Sequence, residues 1–480
     1  MKIYRKEGDV IQIISFPDEE VEKGDYLLIE DQKTGKGLVV QIIDIQFANL
    51  PGILEDILRD VMTEESLQGS DYDPLEVSSQ ITVLKDTKLL ICKIRGAVEN
   101  GQPMPSVSWL PSRTCSRIVR FPIESLMNLN DARRPVFIGK TKTEADLVVD
   151  AKSLDGKLNI ITGKKGTGKS HLSKLLVLSL IDHKAPSLVF DVNGEYVNLN
   201  RVKGGLRSRY DGKILVLTPR LNLKFTLSDV GLRSFNSMLT FALDLPNTSA
   251  KVFSKIWHDL EKTGRLNLLS LGEAIQRFEC HESVREAIYS RFTTILDSNL
   301  FVDSTDESLT FNKLAEKLSN GTAIVVNVKN QSSTIRRMIV ELFISKLAEL
   351  LSSFKLKALF LFAEEAHLYL RDTYWDDIVT RMRHLGIFTT FVTNQPDTIQ
   401  ESIYRQADNI FLFNFTNEHD LDVVSRAAKI DADSVKLLVK DLPVRYCLVI
   451  GEIVRNFPIV VNVNPLEVET MGQTRLFFED

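Results

Sequence analysis

The chain is poor in cysteine, and its four thiols, Cys92, Cys115, Cys280 and Cys447, never fall in a C-x-x-C spacing. That scatter excludes a cysteine zinc cage and a disulfide framework, and it suits a reducing compartment. The seven histidines form no H-E-x-x-H pair, and His171, His281, His367, His384 and His419 make no ligand cluster. No Ser/His/Asp or Cys/His order marks a nucleophile. No run approaches the about eighteen apolar residues of a membrane helix, and the start Met1-Lys2-Ile3-Tyr4-Arg5-Lys6-Glu7 has no apolar signal core. A cytoplasmic protein with no membrane partner is the expectation. The net charge of −5 rules out a polycation, so nucleic-acid contact would need a local patch.

What is present is one stringent motif. Gly163-Lys164-Lys165-Gly166-Thr167-Gly168-Lys169-Ser170 fits G-x-x-x-x-G-K-[ST] and follows the apolar run Leu158–Ile161. Backbone amides of such a loop surround phosphates at a helix N-terminus, the Lys169 ammonium reaches the β- and γ-phosphates, and the Ser170 hydroxyl ligates Mg²⁺. His171 extends the loop into the helix-like stretch 169–180, and the expected ligands are ATP and Mg²⁺.

At 480 residues the chain exceeds one ordinary core, so roughly two or three domains are expected. Up to about residue 125, short β-rich runs predict a small barrel: Val10–Phe16, Asp25–Glu30, Gly37–Ile45, Ile81–Leu84, Lys88–Arg95 and Arg117–Phe121. A helical pattern at Leu54–Glu65 and a Pro/Gly/Ser-rich loop at Asn100–Pro111 interrupt them, and Asn128–Arg134 reads as a connector. Strands then alternate with helices, the signature of a parallel sheet covered on both faces. The strand candidates are Leu158–Ile161, Ser187–Phe190, Ile214–Leu217, Ala323–Val328, Ala358–Phe362, Phe388–Val392 and Asn409–Asn414, with a closing hairpin at Tyr446–Val454 and Phe457–Val463. A long helical stretch without a strand interrupts this sheet. The division read from the sequence is 1–127 for the barrel, 128–226 and 319–463 for an α/β core, 227–318 for an inserted helical subdomain, and 464–480 for a tail.

Acidic partners decide what a P-loop does. Leu359-Phe360-Leu361-Phe362-Ala363-Glu364-Glu365 delivers two carboxylates at the C-terminal end of a buried strand, the edge where open α/β sheets bind ligands. Glu364 is assigned to the magnesium and Glu365 to the attacking water. Asp191 and Glu195, in Phe190-Asp191-Val192-Asn193-Gly194-Glu195-Tyr196, form a second acidic group beside the same edge.

The P-loop, Asp191-x-x-Gly194-Glu195-Tyr196, Glu364-Glu365-Ala366-His367, Arg383-x-x-Gly386 and Thr393-Asn394-Gln395-Pro396 together resemble the HerA-type branch of the HerA/FtsK ATPases in order and spacing. The resemblance covers nearly the whole chain. It implies an α/β fold with a RecA-like P-loop NTPase core behind a HAS-type β-barrel, working as a hexameric ring that moves duplex DNA. It further implies ATP hydrolysis at subunit interfaces, a NurA-type nuclease partner in DNA end processing, and Arg383 as the charge-stabilising arginine. The sensor amide would be Asn394, or Gln395 if the register slips by one. Asn193 stands where the family often has His. On this reading the DNA contacts are Arg207 and Arg209, within the basic stretch Arg201–Lys224, and Arg336 and Arg337. The other readings are an ATP-dependent assembly scaffold, docking an effector through its barrel and the 103–109 loop, or a protein-moving ATPase. Phe477 and Phe478 are expected to dock on a neighbouring subunit.

Overall fold

The protein was analysed as a computed structural model that describes residues 1–48, 86–99, 102–104, 109–123, 132–202, 204–369, 378–415, 417–427 and 430–471. Several expectations therefore lie outside the described residues: the 81–84 strand, the 54–65 helix, the tail beyond 471, and parts of the 100–111 loop and the 128–134 connector.

The N-terminal region is an antiparallel sheet built from β1 (Lys2–Glu7), β2 (Val10–Ser15), β3 (Tyr26–Asp31), β4 (Lys36–Phe47), β5 (Lys88–Glu99), β6 (Gln102–Met104) and β7 (Ser116–Arg120). The spatial order is β1-β2-β5-β4-β3-β7, with β6 on β5. Inward positions alternate along β2, and Ile11, Ile13, Leu27, Ile29, Leu38, Val40 and Leu90 form its core. Bulges at Val39/Val40 and Ile42/Asp44 bend the long β4–β5 ladder. The small barrel read from the sequence takes the form of a curled antiparallel sheet. Among the described residues β1 and β7 do not pair, so the sheet is a curled half-barrel.

One face of its central strands β3, β4 and β5 rests on the α/β region. Tyr26 Oη and Gln41 Nε2 both donate to the Pro458 carbonyl at 2.8 Å, Tyr26 packs edge-on against Phe457, and Arg95 pairs with Asp431 at 2.9 Å.

The second sheet has eleven strands in the order β12-β13-β11-β14-β15-β10-β16-β17-β18-β8-β9. In chain order these are β8 (Pro135–Thr141), β9 (Asp146–Asp150), β10 (Asn159–Thr162), β11 (Ser187–Asp191), β12 (Ile214–Leu217), β13 (Ala323–Asn327), β14 (Leu359–Glu364), β15 (Ile387–Thr393), β16 (Asn409–Leu412), β17 (Tyr446–Gly451) and β18 (Ile459–Val463). The run from β12 to β16 is parallel, and β17, β18, β8 and β9 add an antiparallel flank. Both faces are buried, as continuous apolar strands require. Leu188 and Phe190 of β11 enter one core, and Val189 enters the other.

Helix α1 (Lys169–Asp182) lies against the second of these cores. The first core is roofed by helices between β12 and β13: α2 (Leu227–Ser237), α3 (Asn247–Lys262), α4 (Leu268–Arg277), α5 (Glu282–Ser298) and α6 (Phe311–Ser319). Helix α7 (Ser333–Ser352), between β13 and β14, completes that roof. Amphipathic patterning accounts for the insert, since α3 buries Phe253, Ile256 and Trp257 on one stripe.

The parallel strands bring their C-terminal ends to one edge. Register pairs Thr162 with Thr393, Glu364 with Val392, and Phe190 with Ala363, so the P-loop, the Glu364-Glu365 pair, Asp191 and Asn394 emerge side by side. Among the described residues no helix is long and apolar enough to cross a membrane.

Candidate functional site

The P-loop runs from β10 into α1 and is shaped by glycines that admit no side chain. Gly163 has φ 153°, and a Cβ there would stand 2.5 Å from the Phe413 Cβ; Gly168 has φ 120° and faces Phe413 and the Arg445 Cα. Neighbouring strand ends hold the loop from behind. Lys164 N donates to the Asn414 carbonyl at 2.8 Å, and Arg445 N to the Thr167 carbonyl at 2.8 Å. The Asn414 amide in turn grips the Lys440 and Leu442 carbonyls, at 2.9 Å each.

Lys169 is buried, and its Nζ donates to the Lys164 carbonyl at 2.8 Å. Burial pushes its ammonium down to about 8, against the pull of Glu365, Glu364 and Glu195. Lys164 and Lys165 are exposed, Ser170 sits in the first turn of α1, and His171 Nε2 lies 2.7 Å from the Asn464 carbonyl.

The two carboxylates at the end of β14 differ in surroundings. Glu364 is 1% exposed; the Tyr196 hydroxyl bridges its Oε1 at 2.7 Å and Ser173 Oγ at 2.8 Å. Its buried Oε2 has no hydrogen-bond partner. Burial first, then the like charges of Asp191 and Glu195, push the Glu364 carboxyl up to about 8. Glu365 lies in the left-handed region, φ 44° and ψ 49°, which turns its side chain away from the strand direction. Its Oε2 accepts from Thr393 Oγ1 at 3.2 Å and from Asn394 N at 3.4 Å, and His367 Nδ1 lies 3.6 Å away.

Asp191, expected as a catalytic carboxylate, is taken up by its own turn. It accepts from Glu195 N and Tyr196 N, each at 2.9 Å, and so positions Tyr196 against Glu364. Glu195 pairs with Lys174 Nζ at 2.9 Å. Asn394 is half-buried and Gln395 exposed, both past the end of β15.

Arg383 is not at this edge. It precedes β15 and pairs with Asp408 at 3.2 Å, and Asp408 accepts from Leu158 N at the start of β10. With a strand rise of about 3.3 Å per residue, that places it roughly 15 Å along β10 from the P-loop of its own chain. The basic residues expected as a DNA surface divide in the same way. Arg209 pairs at 2.9 Å with Asp182, at the C-terminal end of α1, and Arg207 with Asp211 at 3.3 Å, while Arg336 and Arg337 occupy the first turn of α7 at the phosphate edge.

Several groups were missed in the sequence. Lys174 stands four residues after Ser170 on α1, a spacing that shares a helix face. Ser173 carries no signal beyond a hydroxyl near a motif, and Thr393 opened a quoted motif without being given a role. Tyr196 lay inside a quoted motif, but its bond to Glu364 spans 168 positions and is set by strand order.

The metal-free protein offers a test of the buried carboxyl. Between the ordinary carboxyl value of 4.5 and about 8 the folded state keeps a proton that the unfolded state has released, so stability falls as pH rises, by up to about 1.4 kcal/mol per pH unit. Glu364→Gln removes that loss. In chelator, its melting temperature is expected to exceed the wild-type value by a margin that widens from pH 5 to 8; parallel curves would refute a buried, proton-holding Glu364.

Residues 136–347 match the family model described as Helicase HerA, central domain. Over 488 aligned residues the chain is 21% identical to the DNA double-strand break repair helicase HerA of Sulfolobus acidocaldarius, covering 95% of this chain and 91% of the relative. Over these residues the chain is similar to the HerA-type P-loop ATPases. A further relative, an uncharacterized protein of Aquifex aeolicus, is 31% identical over 121 residues, 25% of this chain and 42% of its own. Among solved structures, the chain shares its fold with the plasmid coupling protein TrwB bound to the ATP analogue ADPNP, at TM-score 0.51 and 12% identity, over 72% of this chain and 93% of that one. In this core the P-loop and the Glu364-Glu365 pair occupy one sheet edge and Arg383 the other.

Proposed function

We propose that the chain is an ATP-driven DNA translocase that works as a ring, in which ATP bound at one P-loop is hydrolysed with the help of the neighbouring subunit. The observation that carries this reading is the separation of Arg383 from the P-loop of its own chain. A charge-stabilising arginine in that position serves a phosphate only across an interface between copies. Closed rings have such head-to-tail interfaces, and a hexamer is the proposed state.

The residues fit ATP with Mg²⁺. The Lys169 ammonium would neutralise the β- and γ-phosphates, and amides of Gly166 to Ser170 would surround them. The buried, partnerless Oε2 of Glu364 and the Ser170 hydroxyl would hold the cation. Bound there, Mg²⁺ lowers the charge on the phosphate oxygens. Glu365 then orients the attacking water and takes its proton, held in aim by Thr393 and Asn394 N.

Support for duplex DNA as the track comes from the Sulfolobus relative, whose name places it in double-strand break repair. We assign the same setting here, with cytoplasmic location and a NurA-type nuclease as partner. Arg336 and Arg337 are the stronger DNA candidates, since Arg207 and Arg209 are paired on their own surface.

The test is ATP turnover by the purified chain alone, with linear duplex and with single strands, at low and high salt, with Lys169→Ala as blank. Duplex stimulation that fades with salt is expected, because each neutralised phosphate releases counterions. DNA-indifferent turnover would instead favour the scaffold or protein-moving reading.

A further inference from the structure

Resting on the nucleotide-site reading, we propose that Arg445 is a second nucleotide-binding cation, one that engages the α-phosphate and nucleoside end of the ligand rather than its β- and γ-phosphates. The first observation is its backbone. Arg445 N donates to the Thr167 carbonyl at 2.8 Å, and its own carbonyl accepts from Val463 N at 2.9 Å, so the residue is pinned between the P-loop and β18. A Cβ added to Gly168 would stand 3.3 Å from the Arg445 Cα.

The second observation is conformational. Arg445 has φ 71°, the left-handed region, which disfavours a side chain and suits glycine. A strained, solvent-exposed arginine at that position is unexplained by packing. The guanidinium has no hydrogen bond or ion pair among the described residues. Strain retained at a ligand edge points to a role in binding.

The sheet order decides which end of the nucleotide it meets. Around β10 the order is β14-β15-β10-β16-β17. The carboxylates that act on the γ-phosphate come from β14, through β15, on one side of the P-loop. Arg445 leads into β17, beyond β16, on the other side. A ligand whose γ-phosphate points toward Glu365 therefore carries its nucleoside toward β17. His171 lies on that side as well, its Nε2 2.7 Å from the carbonyl of Asn464, the residue after Val463. Arg445, His171 and the 463–464 backbone thus line one flank of the first turn of α1.

The experiment is equilibrium dialysis of ADP and of inorganic tripolyphosphate against wild type, Arg445→Gly, Arg445→Lys and Lys169→Ala. Glycine suits φ 71°, so Arg445→Gly deletes the guanidinium while relieving the backbone, and an undiminished melting temperature verifies folding. A charge-assisted contact predicts about 10- to 100-fold weaker ADP binding in Arg445→Gly, partial recovery in Arg445→Lys, and unchanged tripolyphosphate binding. Unchanged ADP affinity overturns the proposal. Equal losses for ADP and tripolyphosphate also overturn it, by placing the guanidinium on the β- and γ-phosphates. The nucleotide-site reading fails separately, by wild type that binds no ADP or by Lys169→Ala that binds it as well as wild type.

Discussion

Glu365→Gln is expected to lower ATP turnover by about 10²–10⁴-fold while ATP binding persists, the loss that follows when a general base is replaced by an isosteric amide. The expectation rests on how the two neighbouring carboxylates are held. Glu364 continues β14 into the interior, with one oxygen on Tyr196 and the other buried without a partner. That environment suits a cation ligand. Glu365 leaves the strand through a left-handed residue, keeps 15% side-chain exposure, and has its Oε2 oriented by Thr393 and Asn394 N. A carboxylate fixed in direction yet open to solvent is placed to receive a proton from water. Phosphate release and ATP binding, measured on the same preparation, check the prediction. A fall below about tenfold would move the base role elsewhere, because proton transfer by a positioned group is worth more than that.

Local chemistry was legible in the chain, and long-range pairing was not. The P-loop could be read because its glycines answer a steric demand within eight residues, the span from Gly163 to Ser170. The parallel strands could be read because burial on both faces writes an uninterrupted apolar run, as in Leu359–Phe362. The helical insert followed from stripes such as Phe253, Ile256 and Trp257. The small barrel was legible from its short β-rich runs, but whether β1 meets β7 was not, since that depends on pairings across more than a hundred residues. The sequence also offered Asp191 as a catalyst, although its oxygens serve two amides of the following turn. A turn cap and a catalytic carboxylate look alike in one dimension. The pairing of Arg209 with Asp182 was not legible in the basic run for a related reason: the partner is distant in sequence. Arg383 was named from a motif, but its edge of the sheet is fixed only by the direction of β15.

That edge gives the second large effect. Arg383→Ala is expected to reduce turnover by about 10³-fold, the low end of what a charge-stabilising arginine contributes. Arg383→Ala and Glu365→Gln protomers, each nearly inactive alone, are expected to regain activity when mixed. In a head-to-tail ring every site takes Glu365 from one copy and Arg383 from the next, so a random equal mixture restores roughly a quarter of the interfaces. Differently tagged protomers that co-purify establish that mixed rings form. If Arg383 served its own P-loop, each chain would carry one lesion in one site, and mixing would recover nothing. The pair with Asp408 adds a constraint on timing. Its 3.2 Å contact and 34% side-chain exposure leave the guanidinium half free, so reaching a neighbour's phosphate means releasing one carboxylate for a more highly charged anion. Asp408 also binds Leu158 N, at the root of the strand that carries the P-loop. An arginine that let go of Asp408 to act on the next subunit would therefore alter the support of its own β10, and each hydrolysis event would be felt by the protomer that supplied the arginine.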